Sequence, residues 1–138
     1  MAALSAARNT KERAGDVFDF PVKAAVKAIQ GGIAVLDAGY AAPGATATGL
    51  VAIGRFEDTY DNSAGAAGDL SARVKRGVFK FANSAAGDLI AQADVGADCY
   101  IVDDQTVAKT SATNTRSRAG QIVAVDSDGV WVQIGLGQ

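Results

Sequence analysis

Apolar and polar positions along this chain fall into two regimes. From Asp16 onward, short apolar or alternating runs are separated by breaks rich in Gly, Asp, Asn and Ser, the pattern of short strands joined by turns. Val17-Phe-Asp-Phe20 alternates and is followed by Pro21, which cannot donate to a ladder and so marks a sheet edge or a strand start. Ile33-Ala-Val-Leu-Asp37 and Leu50-Val-Ala-Ile-Gly-Arg-Phe56 read as strands, with Gly54 a candidate bulge. Residues 70–82 form the longest strand-like stretch. On it Val74, Arg76, Val78 and Lys80 share one face, and Arg73, Lys75, Gly77, Phe79 and Phe81 share the other. Residues 99–102 and 106–109 read as two more strands. Residues 120–125 and 130–134 flank Asp126-Ser-Asp-Gly129, a hairpin signal in which Gly129 would supply a positive φ. Residues 59–69 and 110–117 are loops, the first too small and polar for a core. Residues 22–29 fit either a strand or a helix with the stripe Val22, Val26, Ile29, and residues 89–95 fit a short helix stopped by Gly96. The expectation is a mainly β domain of seven to ten short strands over residues 16–138, with one short helix.

Residues 1–15 break this pattern. Arg8, Lys11 and Arg13 face Glu12 alone, a net charge of +2, so the rest of the chain carries −4 of the total of −2. Leu4 is the only large aliphatic side chain in the segment, too little burial to offset its ordering entropy. It reads as an extended N-terminal arm, or else as a frayed terminus. The domain behind it is lightly furnished, because 29 of the 138 residues are alanine and only nine are aromatic: Phe 5, Tyr 3, Trp 1. A folded chain of this mass exposes roughly 6,700 Å² against roughly 20,000 Å² unfolded, enough burial for one core. Small side chains remove little area from water, so association with copies or a partner is expected to supplement stability.

Composition narrows the chemistry. With no His, there is no imidazole acid, base or metal ligand, and with one Cys there is neither an intrachain disulfide nor a thiolate zinc site. Cys99 lies in an apolar run and reads as a buried, inert thiol. The charge is wrong for a nucleic-acid binder, and no apolar stretch reaches the ~18 residues of a membrane span or a signal-peptide pattern, which predicts a soluble chain made in the cytoplasm. Asp126-Ser-Asp-Gly129 opens like a calcium loop but has Gly137 where a bidentate Glu belongs, so turn chemistry is the better reading. Glu57-Asp58 and Asp103-Asp104 are adjacent pairs whose members point to opposite sides of a strand, and read as solvated turns. No glycine-rich phosphate loop is present. Arg73, Lys75, Arg76 and Lys80 form the one dense basic cluster, either a contact for an acidic partner or charges that protect an exposed strand edge. Trp131 alternates with Val130 and Val132. If those valines fill the core, Trp131 faces outward and suits a subunit interface.

Several stretches resemble the decoration, or cement, proteins of tailed-phage capsids: Phe20-Pro-Val-Lys-Ala, Gly31-Gly-Ile-Ala-Val-Leu-Asp-Ala-Gly-Tyr40, Gly49-Leu-Val-Ala-Ile-Gly-Arg55, Asp61-Asn-Ser-Ala-Gly-Ala-Ala-Gly-Asp69 and Arg76-Gly-Val-Phe-Lys-Phe-Ala-Asn83. They continue through Ala93-Asp-Val-Gly96, Cys99-Tyr-Ile-Val-Asp-Asp-Gln-Thr-Val107, Ala119-Gly-Gln-Ile-Val-Ala-Val-Asp126 and Gly129-Val-Trp-Val132, from about residue 17 to 135. Val26-Lys27-Ala28-Ile29 departs from the expected strand-like pattern. The resemblance implies a compact β-clip-like domain or a small β-barrel or sandwich with a short helix, and a non-enzymatic virion protein without cofactor or metal, a homotrimer on the outer capsid surface whose partner is the major capsid protein. It implies capsid contacts through Arg8, Lys11, Arg13, Phe18 and Phe20, and a subunit interface at Trp131, with no role for nucleic acid or membrane. A contrasting reading is a small trimeric nucleotide hydrolase of the dUTPase kind. That activity needs an Asp/Tyr nucleotide hairpin and a basic glycine-rich tail, and Gly135-Leu-Gly-Gln138 holds no Arg or Phe.

Overall fold

The computed structural model describes residues 2–138. Residues 2–14 carry no regular secondary structure and are exposed, and Met1 of the expected arm lies outside the described residues. The accessible surface of 7835 Å² exceeds the roughly 6,700 Å² expected of a folded chain of this mass, a difference in the direction an extended exposed segment produces.

Strands follow in the order β1 (Val17–Pro21), β2 (Lys27–Ala28), β3 (Ile33–Asp37), β4 (Tyr40–Pro43), β5 (Val51–Phe56), β6 (Tyr60–Asp61), β7 (Ser71–Lys75) and β8 (Gly77–Asn83). Two single 3-10 turns, Ala86–Asp88 and Gln92–Asp94, lead into β9 (Asp98–Ile101), β10 (Thr106–Ala108), β11 (Arg118–Asp126) and β12 (Gly129–Ile134). The protein is mainly β, as expected, but the described residues form twelve strands rather than seven to ten, because β2 and β6 are two-residue pairs formed by loop segments. One sheet runs β1-β7-β5-β3-β4, antiparallel throughout. A bridge from Val22 to Ala41 brings its two edges together. The second body is a closed barrel, β10-β8-β12-β11-β9, in which only β8 and β10 run parallel. Pro21 ends β1, an edge strand, where its missing N–H costs no ladder bond.

Burial is divided between two cores, not one. The barrel core holds Ile90, Ile101, Val107, Ile122, Val130, Val132 and Ile134. The sheet core holds Val22, Ile53, Phe56 and Val74 among Ala28, Ala34, Ala41 and Ala72. They are not independent, since β3 serves both: Ile33 and Val35 enter the barrel core while Ala34 enters the sheet core, and all three are fully buried. A strand covered on both faces reads as a continuous apolar run.

The long stretch over residues 70–82 is two strands in different bodies. Ala72 and Val74 point into the sheet core, whereas Phe79 and Phe81 face the barrel core, so the inward face changes from even to odd positions at Arg76-Gly77. Arg76 secures this crossover: its N–H bonds the Asp16 carbonyl at 2.9 Å and its guanidinium bonds the Leu136 carbonyl at 2.6 Å. Gly54 is the expected bulge. The β3–β5 register slips beside it, its φ is +143°, and a Cβ there would collide with the Lys75 carbonyl oxygen.

Residues 22–29, open to either a strand or a helix, are not helical: Lys23, Ala25 and Val26 bond to Ala41, Gly65 and Asn62, Lys27–Ala28 pairs as β2, and Ile29 points outward. Other local expectations need correction. In place of a helix over 89–95, Ile90 is fully buried and both its backbone groups bond the Asn83 side chain, at 2.9 and 3.0 Å, which holds the segment extended between the 3-10 turns. Within the 59–69 loop, Asn62 is buried, its amide donating to the Lys23 and Ala66 carbonyls. The hairpin pairs Asp126 with Gly129 around a two-residue loop, yet none of its residues has positive φ. Gly129 is there for space, since a Cβ would lie 2.7 Å from Lys80 Cγ and 2.9 Å from the Phe81 carbonyl oxygen.

Candidate interaction surfaces

The residues singled out in the sequence lie in two regions. Arg8, Lys11 and Arg13 sit in the exposed N-terminal segment, and Arg13 lies over the Phe18 ring at 4.9 Å. Phe18 and Phe20 are half-buried on edge strand β1, opposite Val74 and Ala72, with ring centroids 6.3 Å apart. Phe20 packs against the sheet core, so it also has a structural task. The structure thus joins Arg13, Phe18 and Phe20, and leaves Arg8 and Lys11 apart from them.

Trp131 lies on the barrel. Val130 and Val132 are fully buried, so its side chain takes the outer face, half-exposed between Lys80 of β8 and Ala124 of β11. Its indole N–H donates to Asp126 at 2.7 Å, and the Lys80 ammonium stands 5.7 Å from its ring centroid. Lys80 also bonds Asp128 at 2.9 Å, which holds the Asp128 carboxyl below its usual value and the Lys80 ammonium above its own.

The basic cluster of the sequence does not survive as one patch. Arg73 faces Asp19 at 3.9 Å, Arg76 is spent on the crossover, and Lys80 pairs with Asp126 and Asp128. Edge protection is not its role either, since β7 lies between β1 and β5 and β8 belongs to a closed barrel. Lys75 alone keeps company with a residue the sequence did not flag, Arg55, directly opposite it across β5 and β7. The Arg55 guanidinium bonds Glu57 at 2.7 Å and stacks over Phe79 at 4.2 Å. Arg55, Lys75, Val78, Phe79, Lys80 and Trp131 line an open groove of about 550 Å³ where the sheet meets the barrel. Only strand register joins residues 55 and 75, so no local signal pointed to this site.

The remaining candidates are structural. Cys99 is fully buried against the Gly120 carbonyl, and burial pushes its thiol up to about 12, far from nucleophilic range. Asp88 is held below its ordinary value by the Thr110 hydroxyl at 2.5 Å and by Arg116. Among the adjacent carboxylates, Glu57 turns to Arg55, Asp58 to the Thr59 N–H and Asp103 to the Gln105 N–H. Among the described residues no three His, Cys, Asp or Glu side chains group to hold a metal, and no helix is long and apolar enough to cross a membrane. No family model, no curated protein and no solved structure matches this chain.

Proposed function

We propose that this chain is a structural virion protein that decorates a tailed-phage capsid, seated as a homotrimer on the outer surface of the major capsid protein lattice and clamping neighbouring capsid subunits. The single observation that carries the reading is the order and spacing of the resembling stretches between about residues 17 and 135. The physical character of the molecule supports it. An exposed segment with net charge +2 precedes a body of charge −4, and only Arg13 of its three cations stacks on the domain. Such a segment is available to order on a larger partner. Three arms on one trimer reinforce one another through effective concentration, so individually weak contacts suffice. The outward Trp131 is the large amphipathic side chain an interface between copies would use.

Co-sedimentation with expanded phage heads tests the reading. The full chain is expected to pellet with the heads, and the chain lacking residues 2–15 to remain a trimer by light scattering yet stay in the supernatant. Undiminished decoration by the shortened chain would overturn the role of the arm, and a full chain that ignores expanded heads would overturn decoration itself.

A further inference from the structure

The groove at the junction of sheet and barrel violates a packing rule. Arg55 and Lys75 are directly opposite on neighbouring strands, an arrangement of like charges that costs stability. Glu57 compensates Arg55, whereas no carboxylate lies within ion-pair distance of Lys75 among the described residues. A like-charge pair of which only Arg55 has a carboxylate partner, kept where a Thr or Glu at 75 would serve the sheet better, leaves Lys75 free to meet an anion. Beside it the groove is apolar and aromatic: Val78 is 45% exposed, Phe79 carries the Arg55 guanidinium, and Trp131 lies near Lys80.

We propose that this groove docks an acidic, extended segment of another protein. A carboxylate of the segment sits between Arg55, held on the Phe79 ring, and Lys75, and a neighbouring apolar side chain lies on Val78 and Trp131. Charge complementarity selects this occupant. The chain's own N-terminal segment is basic and is repelled, and two cations beside apolar side chains suit a carboxylate flanked by an apolar residue, whereas nucleic acid calls for a basic stripe along the phosphates. The inference is independent of capsid decoration, because it fixes the chemistry of the partner segment and not the particle that carries it.

The full chain contains a single tryptophan, in the groove, so its emission reports occupancy directly. The probes are a capped decapeptide alternating Glu and Leu, one alternating Lys and Leu, and a ten-residue oligothymidylate, each titrated with parallel calorimetry. The Glu/Leu peptide is expected to bind saturably, to weaken with added salt, and to bind about tenfold or more weakly to Lys75→Glu. Lys75→Glu is also expected to melt no lower than the parent, since it replaces a like-charge pair opposite Arg55 with an attractive one. Lys75→Ala supplies the same comparison by removing the charge without reversing it. The proposal is overturned by absence of saturable Glu/Leu binding up to about 1 mM, by equal binding of the Lys/Leu peptide, by tighter binding of the oligothymidylate, or by unchanged affinity in both variants.

Discussion

Phe56→Ala tests how the two cores depend on each other. Phe56 is 1% exposed and is the largest fully buried side chain of the protein. Its ring lies 6.5 Å from that of Tyr60, in a core otherwise furnished largely by alanines, which cannot move far enough to fill the space it would vacate. Truncating a buried Phe to Ala costs about 3–5 kcal/mol, transfer and cavity together. An unfolding entropy of roughly 2.1 cal/mol/K per residue over this length makes that a fall in Tm of about 10–17 °C. Because β3 places Ile33 and Val35 in the barrel core and Ala34 in the sheet core, neither body keeps its packing when the other opens. Thermal unfolding followed by far-UV circular dichroism and by Trp131 emission, the latter reporting from the barrel, is therefore expected to shift together as one transition. An early loss of ellipticity while Trp131 retains the parent midpoint would refute the coupling, and an unshifted Tm would refute the estimate of packing.

Two further changes probe local devices. Gly54→Ala places a Cβ against the Lys75 carbonyl oxygen at φ +143°, and should lower stability by about 2 kcal/mol or more; an unchanged urea midpoint would show that β5 and β7 can spread. Acid unfolding tests the carboxylates: Asp61, held down by Ser63, Asp88, held down by Thr110 and Arg116, and Asp128, held down by Lys80, all titrate below the ordinary 3.8. A depressed folded-state value adds stability that is present above the unfolded value and lost as pH falls through the folded one. Stability should therefore fall below pH 3.8, and Lys80→Ala should differ from the parent at neutral pH and converge with it at the acid end; a pH-independent difference would contradict the pairing with Asp128.

What could be read without the structure was local. Ile33–Asp37, the Gly54 bulge, the 126–129 hairpin and the outward Trp131 each depend on alternation or turn chemistry within a few residues, and each is found. Turn chemistry still misassigned Gly129, whose absent side chain makes room for Lys80 and Phe81 rather than serving a positive φ. The choice between strand and helix over residues 22–29 stayed open, and the apparent helix of 89–95 failed, because partners outside each segment take its backbone groups: Ala41 and Gly65 in one case, the Asn83 amide in the other.

By itself, then, the amino-acid order determined the β class, the exposed basic N-terminal segment, the absence of imidazole chemistry and the position of most strands, all of which follow from short-range periodicity and composition. The tertiary structure decided that there are two cores rather than one, that the run over residues 70–82 breaks at Arg76 to serve both, and that Arg55 faces Lys75 across a groove floored by Phe79 and Trp131. Pairing register and the two-sided burial of β3 are set by residues far apart in the chain, and alternation says which side chains share a face but never which strand lies beside it.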